Sequence, residues 1–216
     1  MPTYNQALSD YVTRTFAAED EVLRRIRKDI LNKGLPAIMI GPEEAAFLRF
    51  LIVASGTRKA VEIGTLGGYS GIWIARALPA DGKLVTLEVN QQHADIAREN
   101  FEIAGVADKV DLRLGDARQI LPELAGESPF DFVFMDANKE GYPDYLDWAL
   151  ENLGKGGVIA AHNAFAWGGK VIDEDIQDGS VQIMRQFNRR LAEDPNLVAT
   201  IYPGGDGMAV AVLGRD

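Results

Sequence analysis

The sequence predicts a doubly wound α/β fold: a mostly parallel seven-stranded sheet with a C-terminal antiparallel hairpin strand and extra N-terminal helices. Two observations carry this. From residue 59 onward, short apolar runs that end in glycine or a polar residue alternate with helical segments. Strands joined through helices return to the same sheet in parallel. The last two apolar runs, by contrast, flank only Pro203-Gly204-Gly205-Asp206, which reads as a hairpin with a glycine-rich turn.

Residues 3–33 read as helical with mixed charge, broken at Asn32-Lys33-Gly34-Leu35-Pro36, and a second helix starts after Gly41-Pro42 and runs to Ser55-Gly56. Lys59–Ile63 is a short strand ending in glycines, followed by a helix over 70–78. Strands are expected over 83–88, 109–114, 130–135 and 156–161, with helices over 93–104, 142–150 and 180–193, and Gly105 stops the first of these. Runs 197–202 and 207–213 form the hairpin. Ligands of such sheets sit beyond the carboxyl ends of the strands, so the chemistry is sought just after residues 63, 88, 114, 135 and 161.

Composition narrows the function. The 216 residues contain no cysteine, which excludes a disulfide framework, a thiolate metal site and a cysteine nucleophile. Lys plus Arg is 22 against 32 Asp plus Glu, and the net charge of −10 argues against a non-specific grip on nucleic acid. The N-terminus has no apolar signal core and no run approaches a membrane span, so a cytoplasmic protein without a membrane partner is expected.

The first strand end is Glu62-Ile63-Gly64-Thr65-Leu66-Gly67-Gly68-Tyr69-Ser70. Its glycines permit a tight turn and close ligand approach at a helix N-terminus, but Leu66 breaks the dinucleotide spacing G-x-G-x-x-G. Glu62 would repel a pyrophosphate and suits an amine-bearing ligand. Glu88, 26 residues later, is placed to accept ribose hydroxyls. Gly115-Asp116-Ala117 offers a turn for an adenine edge. Two further strand ends, Asp136-Ala137-Asn138-Lys139 and His162-Asn163, bring a carboxylate, an imidazole, an amide and an amine together. Such a set can bind a divalent metal, with Lys139 acting on a substrate beside it. Phe165, Trp167 and Tyr142 are candidate pocket walls. Arg24, Arg25, Arg27 and Lys28 read as a substrate patch or a solvated helix face, and a charge run on a helix favours the second.

V-E-I-G-T-L-G-G-Y-S at 61–70, L-E-V-N at 87–90, G-D-A at 115–117, F-D-F-V-F-M-D-A-N-K at 130–139 and G-G-V-I-A-A-H-N at 156–163 resemble the small cation-dependent class I O-methyltransferases, relatives of catechol and caffeoyl-CoA O-methyltransferase. The resemblance spans nearly the whole chain. It implies one Rossmann-like methyltransferase domain over 1–216, with a helical preface at 1–56 and the α/β core at 57–216. It also implies S-adenosylmethionine (SAM) as methyl donor, a small hydroxylated acceptor and a homodimer. Glu62, Gly64, Thr65 and Ser70 would line the methionine end of SAM. Glu88 would hold the ribose, Asp116 and Ala117 would flank the adenine, and Ile40, Asp136 and Asn138 would lie near the donor. Asp136, His162 and Asn163 would ligate Mg²⁺ or a similar ion, and Lys139 would be the catalytic base.

Position 162 departs from the resemblance, which has an Asp-Asn pair where this chain has His162-Asn163, and Asn138 replaces a common aspartate. Mg²⁺ prefers hard oxygen donors, so the metal preference shifts, or binding weakens, or the chain works without a metal and His162 is itself a base. Ala45, where relatives often carry glycine, is a smaller departure. The rival readings are an NAD-dependent oxidoreductase, a tRNA wobble-hydroxyuridine methyltransferase and a SAM-binding protein with a degenerate metal site.

Overall fold

The computed structural model describes residues 4–214; residue 3 of the expected helical stretch and the ends of the 1–216 span lie outside the described residues. Three helices come first: α1 (Gln6–Phe16), α2 (Glu21–Asn32) and α3 (Pro42–Ser55). The expected single stretch over 3–33 is therefore two helices. Asp20 is the reason: its side chain accepts from the Leu23 N–H and starts a new helix. Pro42 opens α3 and Gly56, in the left-handed conformation, ends it.

The core then alternates β1 (Lys59–Ile63), α4 (Tyr69–Ala77), β2 (Lys83–Glu88), α5 (Gln91–Ile103), β3 (Val110–Leu114), α6 (Ala117–Leu124), β4 (Phe130–Met135), α7 (Tyr142–Asn152), β5 (Leu153–His162), α8 (Gly179–Glu193), β6 (Leu197–Tyr202) and β7 (Met208–Leu213). Helix α6 carries Pro122 in its interior, which hid it in the sequence. The sheet order is β3-β2-β1-β4-β5-β7-β6. β7 runs antiparallel to both β5 and β6, and every other pairing is parallel. The order reverses between β1 and β4, where a crevice for ligand opens.

Strand alternation divides the interior into two layers. Val61, Ile63, Val133, Met135, Ile159 and Ala161 face α6, α7 and α8. Ala60, Leu84, Phe132, Phe134, Val158 and Ala160 face the layer that holds residues of α2, α3, α4 and α5. The same parity decides where the polar residues at the strand ends point. Glu62, Asp136 and His162 each continue the second set by steps of two, toward the N-terminal helices. Phe134 pairs with Ala160 and Met135 with Ala161, so Asp136 and His162 come next, side by side.

No helix among the described residues is long and apolar enough to cross a membrane. Arg25 pairs with Asp29 and Arg27 with Glu19, and Arg24 bonds the Glu19 carbonyl. The basic run thus binds neighbours on and beside its own helix.

Candidate active site

A cavity of about 850 Å³ opens along the carboxyl ends of the strands, bordered by Ile40, Gly64, Thr65, Ser70, Glu88, Asp116, Ala117, Asp136, Asn138, Lys139 and Asn163. Eleven of the thirteen residues expected to hold the donor, hold a metal or act in catalysis therefore border one cavity. Glu62 and His162 are the two that do not.

Glu62 lies beneath the glycine turn, fully buried. Its carboxylate accepts from the Ser70 and Thr86 hydroxyls, each at 2.6 Å. Thr86 in turn takes a 2.6 Å hydrogen bond from Thr65. This closed network fixes the floor of the turn. Contrary to the expectation, Glu62 does not itself border the cavity: the Ser70 and Thr86 hydroxyls cover its carboxylate, and it acts through Ser70 and Thr65. Burial pushes its carboxyl up to about 7, against the lowering effect of the two hydroxyls.

Gly64 has φ of +100°, and a Cβ there would meet the Asp136 carbonyl oxygen at 2.1 Å, so the ends of β1 and β4 close on each other only through glycine. Glu88 accepts from the Leu66 N–H at 2.7 Å and the Asn90 N–H at 2.9 Å, one on each oxygen. Each oxygen keeps a further lone pair for a ligand hydroxyl. Asp116 caps α6 through the Arg118 N–H, and Ala117 stands at the helix start, where backbone N–H groups have no intrahelical acceptor. Tyr145 donates to Asn138 at 2.9 Å. Met39, His93, Tyr145 and Ser180 also border the cavity, a role that nothing in their sequence neighbourhoods marked.

The other end of the cavity holds Lys139, Asp136, Asn163 and Trp167. Lys139 is buried; its Nζ donates to the Tyr142 hydroxyl at 2.6 Å and lies 3.8 Å from Asp136. Burial pushes the Lys139 amine below its ordinary value, although Asp136 and Asp206 oppose this. Tyr142 is fully buried and serves as a prop under Lys139 rather than as a wall. Phe165 does not border the cavity; it packs against Gly207. Trp167 does border it, at 44% exposure. Asp206, which the sequence did not single out, holds this loop by accepting from Asn163 Nδ2, Trp167 N and Gly168 N at 2.7–3.1 Å. Asn163, Ala166 and Trp167 all have positive φ, a strained loop that Asp206 keeps in place.

His162 points into the layer beneath α3. Its Nε2 donates to Glu44 at 2.9 Å, and its Nδ1 lies 3.2 Å from Asp136 Oδ2 as an ion pair, out of line for a hydrogen bond. Burial alone disfavours the charged ring, but the Asp136 carboxylate and the Glu44 bond outweigh it and push His162 up to about 10. Asp136 is held below the usual carboxylate range: burial opposes this, and His162 and Lys139 outweigh burial. Nε2 is committed to Glu44, and Nδ1 faces Asp136 without a hydrogen bond.

The same geometry answers the expectation of a Mg²⁺ site. Mg²⁺ demands near-octahedral oxygen donors. Of the three expected ligands only Asp136 and Asn163 border the cavity, and no group of three or more His, Asp or Glu side chains among the described residues converges on a point that could hold an ion. With one imidazole among them, Asp136, His162 and Asn163 suit Mg²⁺ less well than an all-oxygen set would. The residues around the cavity do suit SAM: an acidic side chain with lone pairs free for hydroxyls, a glycine turn at a helix start and a cavity joining both to Lys139.

The chain matches the O-methyltransferase family model over residues 13–213. It belongs to that family. The methyltransferase is 38% identical to a catechol O-methyltransferase of Niastella koreensis, over 96% of this chain and 97% of the relative. It is 40% identical to a catechol O-methyltransferase of Mycobacterium tuberculosis, over 94% and 93%. Among solved structures it resembles the Bacillus cereus O-methyltransferase in complex with SAH, at 39% identity, TM-score 0.89 and coverage of 96% and 97%. It also resembles a SAM complex of a Streptomyces achromogenes O-methyltransferase involved in tomaymycin synthesis, at 37% identity, TM-score 0.88 and coverage of 96% of each chain. The protein is a SAM-dependent O-methyltransferase with a Rossmann-like fold, and the oxidoreductase reading falls.

Proposed function

We propose that this methyltransferase acts on a hydroxyl of a small catechol-like or other vicinal-diol acceptor. The observation that carries the reading is Lys139: a buried amine of lowered proton affinity, facing one cavity that also contains Glu88. About 850 Å³ lies toward the upper end of the range for small-molecule sites, roughly 300–1,000 Å³, which leaves room for SAM and a modest second molecule. The names of the two catechol O-methyltransferases at 38% and 40% identity support the same acceptor class.

Bound SAM supplies a methyl group made electrophilic by its sulfonium. The chain does the rest. Glu88 holds the ribose hydroxyls, and the Gly64–Ser70 turn, with Ile40, seats the methionine end. Asp116 and Ala117 border the adenine, and Asn138 lies against the donor. Lys139, in its neutral form, takes the proton of the acceptor hydroxyl, whose oxygen then attacks in line. Asn163 and Asp136 stand beside Lys139 and give an adjacent hydroxyl its partners. Trp167 offers a flat apolar surface to an aromatic ring. The whole chain serves as one methyltransferase domain, with 1–56 as its helical preface. Exposed Phe16, Phe50 and Val53 on α1 and α3 support a homodimer formed through the preface. A cytoplasmic location belongs to the same reading.

Calorimetry with SAM followed by turnover of catechol, with methylated product detected by mass spectrometry, tests the reading. SAM binding with methyl transfer to catechol is expected. SAM binding with no transfer to any vicinal diol overturns the acceptor class, and no SAM binding overturns the placement of Glu88 and the glycine turn.

A further inference from the structure

We propose that Arg185 and Asp206 are positioning residues for the methyl acceptor: from α8 and from the β6–β7 turn they brace the loop between β5 and α8, hold Trp167 at the cavity and so decide which of two adjacent hydroxyls meets Lys139. The turnover arm of the test rests on the proposed acceptor class.

The loop covers residues 163–178. A connection of that length in a compact domain is usually either functional or loosely held. This one is held, but not by apolar packing of its tip: Trp167 is 44% exposed and Ile172 is 85% exposed. Side chains from later in the sequence bind its backbone instead. On the inner limb, Asp206 accepts from the Trp167 and Gly168 N–H groups, each at 2.7 Å, and Asn188 Nδ2 donates to the Ala164 carbonyl at 2.7 Å. On the outer limb, the Arg185 guanidinium donates to the Lys170, Val171 and Ile176 carbonyls, each at 2.9 Å, and to the Asp173 carbonyl. One rigid fork thus gathers residues 170–176 around itself. Only Gly168 and Gly169, both with positive φ, separate the two limbs. Glycine resists rotation least, so a shift of either limb reaches Trp167. Trp167 itself has a φ of +58°, a conformation that a bulky residue keeps only where its surroundings impose it.

The consequence for the reaction follows from Lys139, a single base at one point of the cavity. A vicinal diol offers it two hydroxyls, and the wall against which the ring lies decides which of them is in place to react. Trp167 borders the same cavity as Lys139. Asp206 also bonds Asn163, so its removal disturbs two residues of the site. Arg185 borders no part of the cavity, and its hydrogen bonds go to the outer limb, so it reaches the acceptor through the loop alone.

The test uses the full-length protein labelled with fluorotryptophan. Trp73 and Trp148 are buried, so their ¹⁹F resonances report the core, and that of Trp167 reports the loop. R185A and D206N are each expected to shift or broaden the Trp167 resonance, assigned with W167F, and to leave the other two in place. SAM affinity is expected to be unchanged in R185A. With protocatechuate, a catechol whose two hydroxyls differ, the unmutated enzyme is expected to favour one monomethyl product. R185A is expected to raise the acceptor KM about three- to tenfold, the scale of a lost aromatic contact, and to bring the two products toward equal amounts. W167A is expected to do the same. R185A added to W167A is expected to change neither reading further, because both act on one contact. R185K keeps the charge but loses the fork, and is expected to fall between R185A and the unmutated enzyme; it carries the test if R185A does not fold. A Trp167 resonance and a product ratio that stay put in the Arg185 variants overturn the proposal. So do additive effects of R185A and W167A, or equal products from the unmutated enzyme. If protocatechuate is not methylated, the acceptor reading fails, and the ¹⁹F spectra still decide whether Arg185 and Asp206 set Trp167.

Discussion

The Lys139 Nζ lies 2.6 Å from the Tyr142 hydroxyl, which donates in turn toward the Met135 carbonyl at 3.0 Å. Tyr142 thus anchors the amine at the junction of β4 with the turn that leads to α7. The anchor keeps Nζ at the cavity wall, while burial lowers its proton affinity. Both are needed of a base that must lose its own proton near neutral pH.

A rate profile tests that role. A lysine whose proton is held more loosely than usual becomes active at lower pH than a free amine, so kcat is expected to rise with pH and level off below 10.5. K139A is expected to lower kcat by about 10²–10⁴ with SAM affinity unchanged. K139R, which cannot deprotonate, is expected to fall as far. Y142F removes only the anchor and is expected to cost about tenfold in kcat, close to one hydrogen bond. Full activity in K139R would exclude Lys139 as the base.

Glu88 invites a binding measurement. Two backbone N–H groups hold its carboxylate, so it is set before any ligand arrives. Hydrogen bonds to a charged group contribute about 1.5–3 kcal/mol, so E88A is expected to weaken SAM binding by roughly 10–150-fold in calorimetry. An unchanged Kd would mean that the ribose lies elsewhere.

The strand ends were legible in the sequence because apolar runs stop where the backbone turns, and β1, β2, β4 and β6 fall on the expected residues. Which residues reach the cavity was less legible. Glu62, Glu88, Asp136 and His162 all stand at strand ends with the parity of the N-terminal layer, yet only Glu88 and Asp136 border the cavity. Alternation alone does not separate them; the partners that cover Glu62 and His162 do. The partner of His162 was not legible, since Glu44 lies 118 residues earlier, in the first turn of α3. Asp206 was hidden in a hairpin turn, where an aspartate is ordinary, and only the folded loop shows what it holds. Helix α6 was missed because Pro122 falls inside it, where proline normally argues against a helix.

Glu62 makes a prediction about stability. Its carboxyl titrates near 7 in the folded protein, above the ordinary 4.5. The folded state therefore binds the extra proton between these values, and stability falls as pH rises from 4.5 through 7. The loss from this one group is on the order of 3 kcal/mol. E62Q keeps a hydrogen-bonding side chain at that site and removes the titration. Chemical denaturation at several pH values is expected to show a shallower decline for E62Q than for the unmutated protein. Identical pH dependence of the two would remove Glu62 as the cause.

Gly64 and Gly105 separate close approach from backbone strain. Both have positive φ, but a Cβ at 105 meets nothing within 4 Å, whereas one at 64 would strike the Asp136 backbone. G105A is expected to cost only the left-handed conformation, about 1 kcal/mol, or roughly 2–4 °C in Tm for a chain of this size. G64A must also push β1 and β4 apart where Asp136 N donates to Ile63 O at 2.8 Å. The expected loss is about 3 kcal/mol or more, with a Tm lower by roughly 6–12 °C. Because Asp136 moves with the strand end, G64A is also expected to lower turnover at temperatures where it remains folded. G105A lies far from that junction and should keep its rate. Equal Tm shifts for the two variants would show that strain alone, and not the contact with Asp136, requires glycine at 64.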